Sequence, residues 1–493
     1  MSRTAGTSEK RWSAEELRRL FSGSGDIVFL PSLFDDRKDS RVLMVYQEGL
    51  CDSNRISQSV LPELRHFYAR TGSFARAIPE LSGVLPVKPI EEEPAEDSMA
   101  EAVYDGNLLI LFEAEGAVCK LDYSDRPQRT PFESSTEISI KGPKDCFIED
   151  ISVNIALIRK RIRSRSLHVE KFVLGRRTKT KVGLVYFSDI LNKKILADVR
   201  TKLNEIDIDG LYSIGQLEEQ LVGSPFKIMP LLDFTGRPDY AVSSLLAGRF
   251  ILIIDGNPMV LIGPAGLSYI LKSPEDVHFN YSYVSFARII RIVSFFLSIF
   301  LPAIWVALMA FHQDQIPFRM MATVSVSRLG LPLSAQMEMF ILLMLLEVFR
   351  EAGVRLPTAI GQTLTSIGGL IIGDAAIRAG LVSPSVVVIG AITAVCGVTL
   401  VNQTLSTVVS ILRLFFFTLA SFLGIYGVIL GMVLWTGYLS SLNSFGVNYL
   451  TPISPLRIKD VLQSYLRLPW AWSKRRPGSL KPIDGDHQGE GEG

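Results

Sequence analysis

Three acids interrupt apolar stretches in the second half of this 493-residue chain: Glu338, Glu347 and Asp374. A carboxylate turned toward lipid is costly, so each is expected to face a bundle interior, a subunit interface or a water-filled path. Gln362, Thr363 and Ser366 share the segment leading to Asp374, and Asn402, Gln403 and Thr404 close the next one. Acids, amides and hydroxyls grouped in this way would line a polar conduit through a membrane, without fixing which ion passes. Plainer readings stand beside this one. Glu347, Arg350 and Glu351 fall at i, i+3 and i+4 and can pair with one another, and Asp374 has Arg378 one turn on.

A second group of residues is basic. Arg159, Lys160, Arg161, Arg163, Arg165, Lys171, Arg176 and Arg177 crowd one stretch. Arg159, Arg161, Arg163, Arg176 and Arg177 form a candidate surface for anionic headgroups or an acidic partner, each worth ~1 kcal/mol near anionic lipid. The competing reading is a solvated helix end and hairpin tip, and it is the stronger. Gly369 with Gly373, and Gly427 with Gly431, have the small-xxx-small spacing that lets helix backbones approach closely, and packing is their expected role.

Enzyme chemistry is not indicated. The chain has no GK dipeptide for a phosphate loop, and His66, His168, His278, His312 and His487 stand apart with no HExxH. Cys51, Cys119, Cys146 and Cys396 share no CxxC spacing, so neither a metal site, a cofactor nor a disulfide framework is implied, and a reducing compartment fits. A net charge of +1 excludes a nucleic-acid binder built on overall basicity.

The elements that must position these residues fall into two halves. A hydrophobic share of 48% beside an ordinary 20% of charged residues points to a mixture of two compositions. The first half reads as a cytosolic region of two α/β subdomains, 26–141 and 142–272, after an N-terminal extension over 1–25. Short β-branched runs at 26–30, 41–46, 108–112 and 117–121 predict strands of the first, and 168–174, 181–187, 249–254 and 259–262 those of the second. Ser13 with Glu16 has capping-box spacing for a first helix, and the prolines and acids of 86–97 predict an exposed loop. A connector over 273–291 leads into a polytopic helical membrane domain, 292–440, and a basic tail, 441–493, disordered at its end.

Within the membrane half, 292–311 holds no charge and is a strong span, as is 414–439. The stretches 331–349, 357–376 and 385–401 are weaker, and 357–376 is the candidate re-entrant or broken helix. Arg288, Arg291, Arg350, Arg355, Arg413, Arg467 and Lys474 to Arg476 favour the cytosolic side, which requires an even number of crossings, with four expected.

Longer blocks carry a resemblance. FLPAIWVALMAFHQDQIP, EVFREAGVRLPTAIGQTLTSIGGLIIGDAAIRAGLVSP and SFGVNYLTPISPLR, preceded by RPQRTPFESSTEISIKGPKDCFIEDISVNIALIRKRIRS and GRFILIIDGNPMVLIGP, resemble in order the A-subunit family of bacterial spore germination receptors. The resemblance implies a multi-pass protein of the spore inner membrane, working with a transporter-like B subunit and a lipoprotein C subunit. It further implies a homo-oligomer forming a nutrient-gated ion channel. A non-conducting scaffold, a paralogue associated with the dipicolinic-acid channel and a secondary transporter are the alternatives. The sequence departs from the family pattern at Asp374 and at Val401 to Gln403, so details of conduction do not carry across there, and it departs again at Gly236.

Overall fold

The computed structural model describes the chain except for residues 1–10, 36–39, 75–77, 79–80, 82–84, 91–94, 126–138, 224–226, 356–373, 473 and 487–493. Two compact units divide it. One holds the chain up to Pro225, Leu232–Pro264 and the segment from Lys474, and the other holds Phe226–Leu231 and Ala265–Ser473. The division therefore falls at Pro264, ahead of the expected connector.

The first unit contains two lobes. In lobe one, β1 (Ile27–Leu33), β2 (Arg41–Gln47), β3 (Lys88–Pro89), β4 (Leu108–Phe112) and β5 (Ala117–Leu121) pair antiparallel in the order β1-β2-β4-β5-β3. The run of apolar residues in β4 follows from burial on both faces. Leu108 and Ile110 join Leu64 and Phe67 of α2 (Leu61–Thr71), while Leu109 and Leu111 join Leu17 of α1 (Ala14–Leu20) and Val103 of α3 (Ala95–Tyr104). Ser13 caps α1 as its spacing predicts, its hydroxyl accepting from the Glu16 amide at 3.2 Å. The expected loop over 86–97 is corrected: Lys88 and Pro89 pair with Lys120 and Cys119, and α3 starts at Ala95. Glu96 and Asp97 are acids of its first turn, where the helix dipole favours negative charge.

Lobe two repeats the plan. β6 (Leu167–Leu174), β7 (Thr180–Phe187), β8 (Asp233–Thr235), β9 (Phe250–Ile254) and β10 (Val260–Gly263) pair in the order β6-β7-β9-β10-β8, with α4 (Ile151–Arg159), α5 (Lys193–Glu205), α6 (Ile214–Val222) and α7 (Pro238–Leu246) around them. Even the register recurs. Met44 opposes Ile110 as Leu184 opposes Leu252, and Val45 opposes Leu109 as Val185 opposes Ile251. The segment around Arg476 to Ile483, part of the expected basic tail, docks on this lobe. Leu480 is buried, Ile483 donates its amide to the Ile190 carbonyl at 2.9 Å, and Arg476 Nε donates to the Leu246 carbonyl at 2.9 Å.

The second unit is helical: α8 (Tyr281–Phe311), α9 (Phe318–Ser327), α10 (Ala335–Arg355), α11 (Pro384–Val398), α12 (Gln403–Ser441) and α13 (Ile458–Tyr465). Of these, α8 and α12 are long and apolar enough to cross a membrane. Yet α12 is not one rod. At Gly424 the backbone leaves helical geometry (φ 63°, ψ −144°) and the chain doubles back. In a straight helix Phe416 and Trp435 would stand about 28 Å apart along the axis. Their ring centroids lie 6.2 Å apart. The single span expected over 414–439 is thus corrected to parts of two antiparallel arms, because a left-handed glycine reverses the chain in its middle. Most of the candidate broken helix, 357–376, lies outside the described residues.

Candidate functional site

The basic stretch does its work inside the first unit. Arg159, expected among surface bases, is fully buried at the end of α4. Its Nε donates to Asp26 Oδ2 at 2.9 Å, its Nη2 to Asp26 Oδ1 and Ser24 Oγ at 3.1 Å each, and its guanidinium lies 4.1 Å from the centre of the Tyr104 ring. Asp26, Ser24 and Tyr104 belong to lobe one. A charge this deep requires such a partner, which is why Arg159 is not available to headgroups. The neighbouring bases follow suit across the same seam: Arg163 pairs with Asp105 at 2.9 Å, Arg165 with Asp97 at 2.8 Å and Lys171 with Glu48 at 2.7 Å. Backbone joins the lobes too, through Gly25 N to Val169 O at 2.8 Å and Val169 N to Gly23 O at 3.2 Å. Of the remaining patch residues, Arg161 meets Asp145 at 2.6 Å, Arg176 meets Asp207 at 2.5 Å and Arg177 meets Asp209 at 3.6 Å. Every candidate of the anionic-surface patch therefore faces a carboxylate of its own chain.

Beside this seam lies an open polar cleft of about 960 Å³, lined from both lobes by Arg19, Ser24, Asp97, Glu101, Arg163, Ser164, His168 and Asp189 among others. Gly23 is required here, since a Cβ would come within 2.2 Å of the His168 ring. Burial, reinforced by Arg159, lowers the pKa of the His168 imidazole from its ordinary value. The cleft offers hydroxyls and charges of both signs, and among the described residues no cluster fit to hold a metal ion occurs.

In the helical unit each predicted acid has an arginine. Glu338, fully buried, takes Arg328 at 3.1 Å and accepts the Ser383 amide at 2.9 Å, tying the starts of α10 and α11 together. Glu347 pairs with Arg350, which also donates to the Ser406 carbonyl at 3.0 Å. Asp374 pairs with Arg378 at 2.8 Å in the open. Asn402 caps α12, accepting the Leu405 amide at 2.8 Å, and Gln403 is the first residue of that helix. Gln362, Thr363, Ser366, Gly369 and Gly373 lie outside the described residues. Gly427 and Gly431 sit where the arms of α12 touch: added Cβ atoms would come 2.3 Å from the Leu419 carbonyl and 2.7 Å from the Phe416 ring. Arg413, expected at a span's cytosolic flank, is instead buried within α12 and donates to the Ser298 carbonyl at 2.8 Å. Sequence reasoning missed Asp26, Ser24, Tyr104 and Arg328 as partners, and Gly424 as a turn.

Residues 15–479 match the family described as Bacillus/Clostridium GerA spore germination protein. The chain belongs to the GerA family. Among GerA relatives, Spore germination protein XA of Bacillus anthracis is 39% identical over 96% of both chains. The membrane protein YfkQ of Bacillus subtilis (strain 168) is 33% identical over 96% of this chain and 91% of its own. A solved structure, the N-terminal domain of the A subunit of the Bacillus megaterium spore germinant receptor GerK3, matches with 26% identity and a TM-score of 0.38, over 52% of this chain and 97% of that one. The family match and the identity to XA bear out the resemblance seen in the sequence, to the A-subunit family of spore germination proteins.

Proposed function

We propose that this chain is the A subunit of a spore germinant receptor whose copies assemble into a nutrient-gated ion channel in the spore inner membrane, with the two lobes on the cytosolic side. In this reading it acts in signal transduction beside a transporter-like B subunit and a lipoprotein C subunit. The observation that carries it is the GerA match running from residue 15 to 479, through both lobes and the helical unit. The apolar α8 and α12 support placement in a bilayer. Because Glu338, Glu347 and Asp374 each meet an arginine of the same chain, we favour the uncharged Gln362, Thr363, Ser366, Asn402 and Gln403 as candidates for conduction.

Ion flux from proteoliposomes tests the proposal. Purified chain, alone or with its partners, is expected to pass ions on gating, and Gln362→Ala or Gln403→Ala to alter that flux without altering assembly. An assembled oligomer that stays silent under every gating condition, partners included, overturns the channel. The same ion pairs favour a second reading, a non-conducting scaffold that uses its acids for packing. There Glu338→Gln would change assembly and leave ion release as it was.

A further inference from the structure

Past the end of α12 the chain forms α13, an eight-residue helix whose apolar side chains are largely uncovered. Ile458 and Leu462, at i and i+4, are 68% and 45% exposed, and Leu456 just before them is 69% exposed. Four residues apart on a helix is one face, so Ile458 and Leu462 form a stripe, with Leu456 exposed just ahead of the helix. Arg457 and Lys459 are exposed beside it, while the acid of the helix, Asp460, is turned partly inward near Arg457.

The helix is held in place relative to α8. Arg288, in the early turns of α8, donates to the carbonyls of Ser464 and Leu466 at 3.3 Å each. Ser285 Oγ donates to the Arg467 carbonyl at 3.1 Å and accepts the Arg467 amide at 3.0 Å. Arg467 in turn donates to the carbonyls of Asp276, Val277 and Phe279. These ties set α13 at the level where an exposed apolar strip begins on α8, with Tyr283, Phe286, Ile289, Ile290 and Val293 all open. An apolar stripe flanked by bases at the foot of a membrane-length helix has the chemistry of a bilayer interface, where acyl chains and phosphates lie within a few ångströms of each other.

We infer that α13 is an interfacial anchor: Leu456, Ile458 and Leu462 enter the boundary between acyl chains and headgroups of an anionic bilayer, and Arg457 and Lys459 meet lipid phosphates. The inference rests on the reading that α8 crosses the membrane, and on no other part of the proposed function.

The test places nitroxides on the full-length chain, with Cys146→Ser to limit background, in liposomes of phosphatidylglycerol and phosphatidylethanolamine. Leu462→Cys carries the probe of the anchor, Ile304→Cys marks the span and Tyr212→Cys, 83% exposed, marks water. Collision with oxygen is expected to exceed collision with a water-soluble nickel chelate by about threefold or more at Leu462→Cys and Ile304→Cys, and to fall below it at Tyr212→Cys. Nickel access at Leu462→Cys with Ile304→Cys buried in lipid overturns the anchor and leaves the span intact. Nickel access at Ile304→Cys overturns the span and the anchor with it. Protection of Leu462→Cys from both reagents assigns the stripe to a protein partner and also overturns the anchor. In liposomes of phosphatidylcholine alone, whose surface carries no net charge, the Leu462→Cys probe is expected to sit shallower, and an unchanged depth overturns the part played by anionic lipid.

Discussion

Arg159 and Asp26 carry the strongest residue-scale consequence, because both are buried and, among the described residues, each forms its ion pair with the other. Removing one leaves an uncompensated buried charge, at a cost of about 3–5 kcal/mol, whereas replacing both by apolar residues of similar size can be close to neutral. Arg159→Met should therefore lower the thermal midpoint sharply and loosen the lobes to protease, and Asp26→Leu added to it should recover most of the loss. A double variant as unstable as the single one would show that the pair matters only for its shape. Glu218 gives a pH test. Burial pushes its carboxyl up to about 7 from an ordinary 4.5, so the folded chain keeps a proton that the unfolded chain has released. Its burden on stability is absent below about pH 4.5 and grows as pH rises through 7. Glu218→Gln should melt like the parent at pH 4 and a few degrees higher at pH 8, and equal shifts at both would rule this out. Local side-chain roles were legible in the sequence where the partner is close, as with the Ser13 cap and the Glu347 pair. Arg159 was not, since nothing in a run of bases marks the one whose acid lies on another lobe.

At the scale of elements, the hairpin of α12 depends on its glycines. Gly427 and Gly431 let the second arm lie against Leu419 and Phe416, where a larger residue must displace a backbone carbonyl or an aromatic ring. Gly427→Val and Gly431→Leu are expected to reduce folded protein in detergent and lower its melting point, by an amount in the range of about 1–3 kcal/mol typical of overpacking. Gly437→Ala meets nothing within 4 Å and should be silent, which separates close packing from a general sensitivity of the helix to substitution. The packing role of the two glycines was legible in their spacing, but the hairpin was not. Hydropathy reports how apolar a stretch is and passes over a single residue with positive φ, so two arms read as one span. The strands fared better, because short β-branched and apolar runs bounded by turn residues are the pattern that a buried strand requires. The loop expected over 86–97 failed for the opposite reason: acids that suggest solvent also suit the first turn of a helix.

For the whole molecule, the repeated strand order and register make the two lobes copies of one plan, and a trace survives in the sequence, where Val42-Leu43-Met44-Val45-Tyr46 and Val182-Gly183-Leu184-Val185-Tyr186 occupy matching positions of β2 and β7. Among the described residues, the segment around Arg476 to Ile483 docks on lobe two. The backbone passes between the compact units at Pro225, Leu231, Pro264 and Ser473, so four covalent links join them. The last link is as firm as its docking, which Leu480, Ile483 and Arg476 provide against Ile190, Asn192 and Leu246. A chain ending at Ser473, or one carrying Leu480→Asp, should exchange amide hydrogens around residues 190–192 and 246–248 on the order of tenfold faster, with β4 of lobe one unaffected. If the tail only shields a surface, Leu480→Asp will change exchange there and leave gating as it was. If it is a working strap, the ion flux proposed for the assembled chain will also fall, and the truncated chain will behave like the point variant. Unchanged exchange in both variants would mean that the docked segment contributes nothing to holding lobe two.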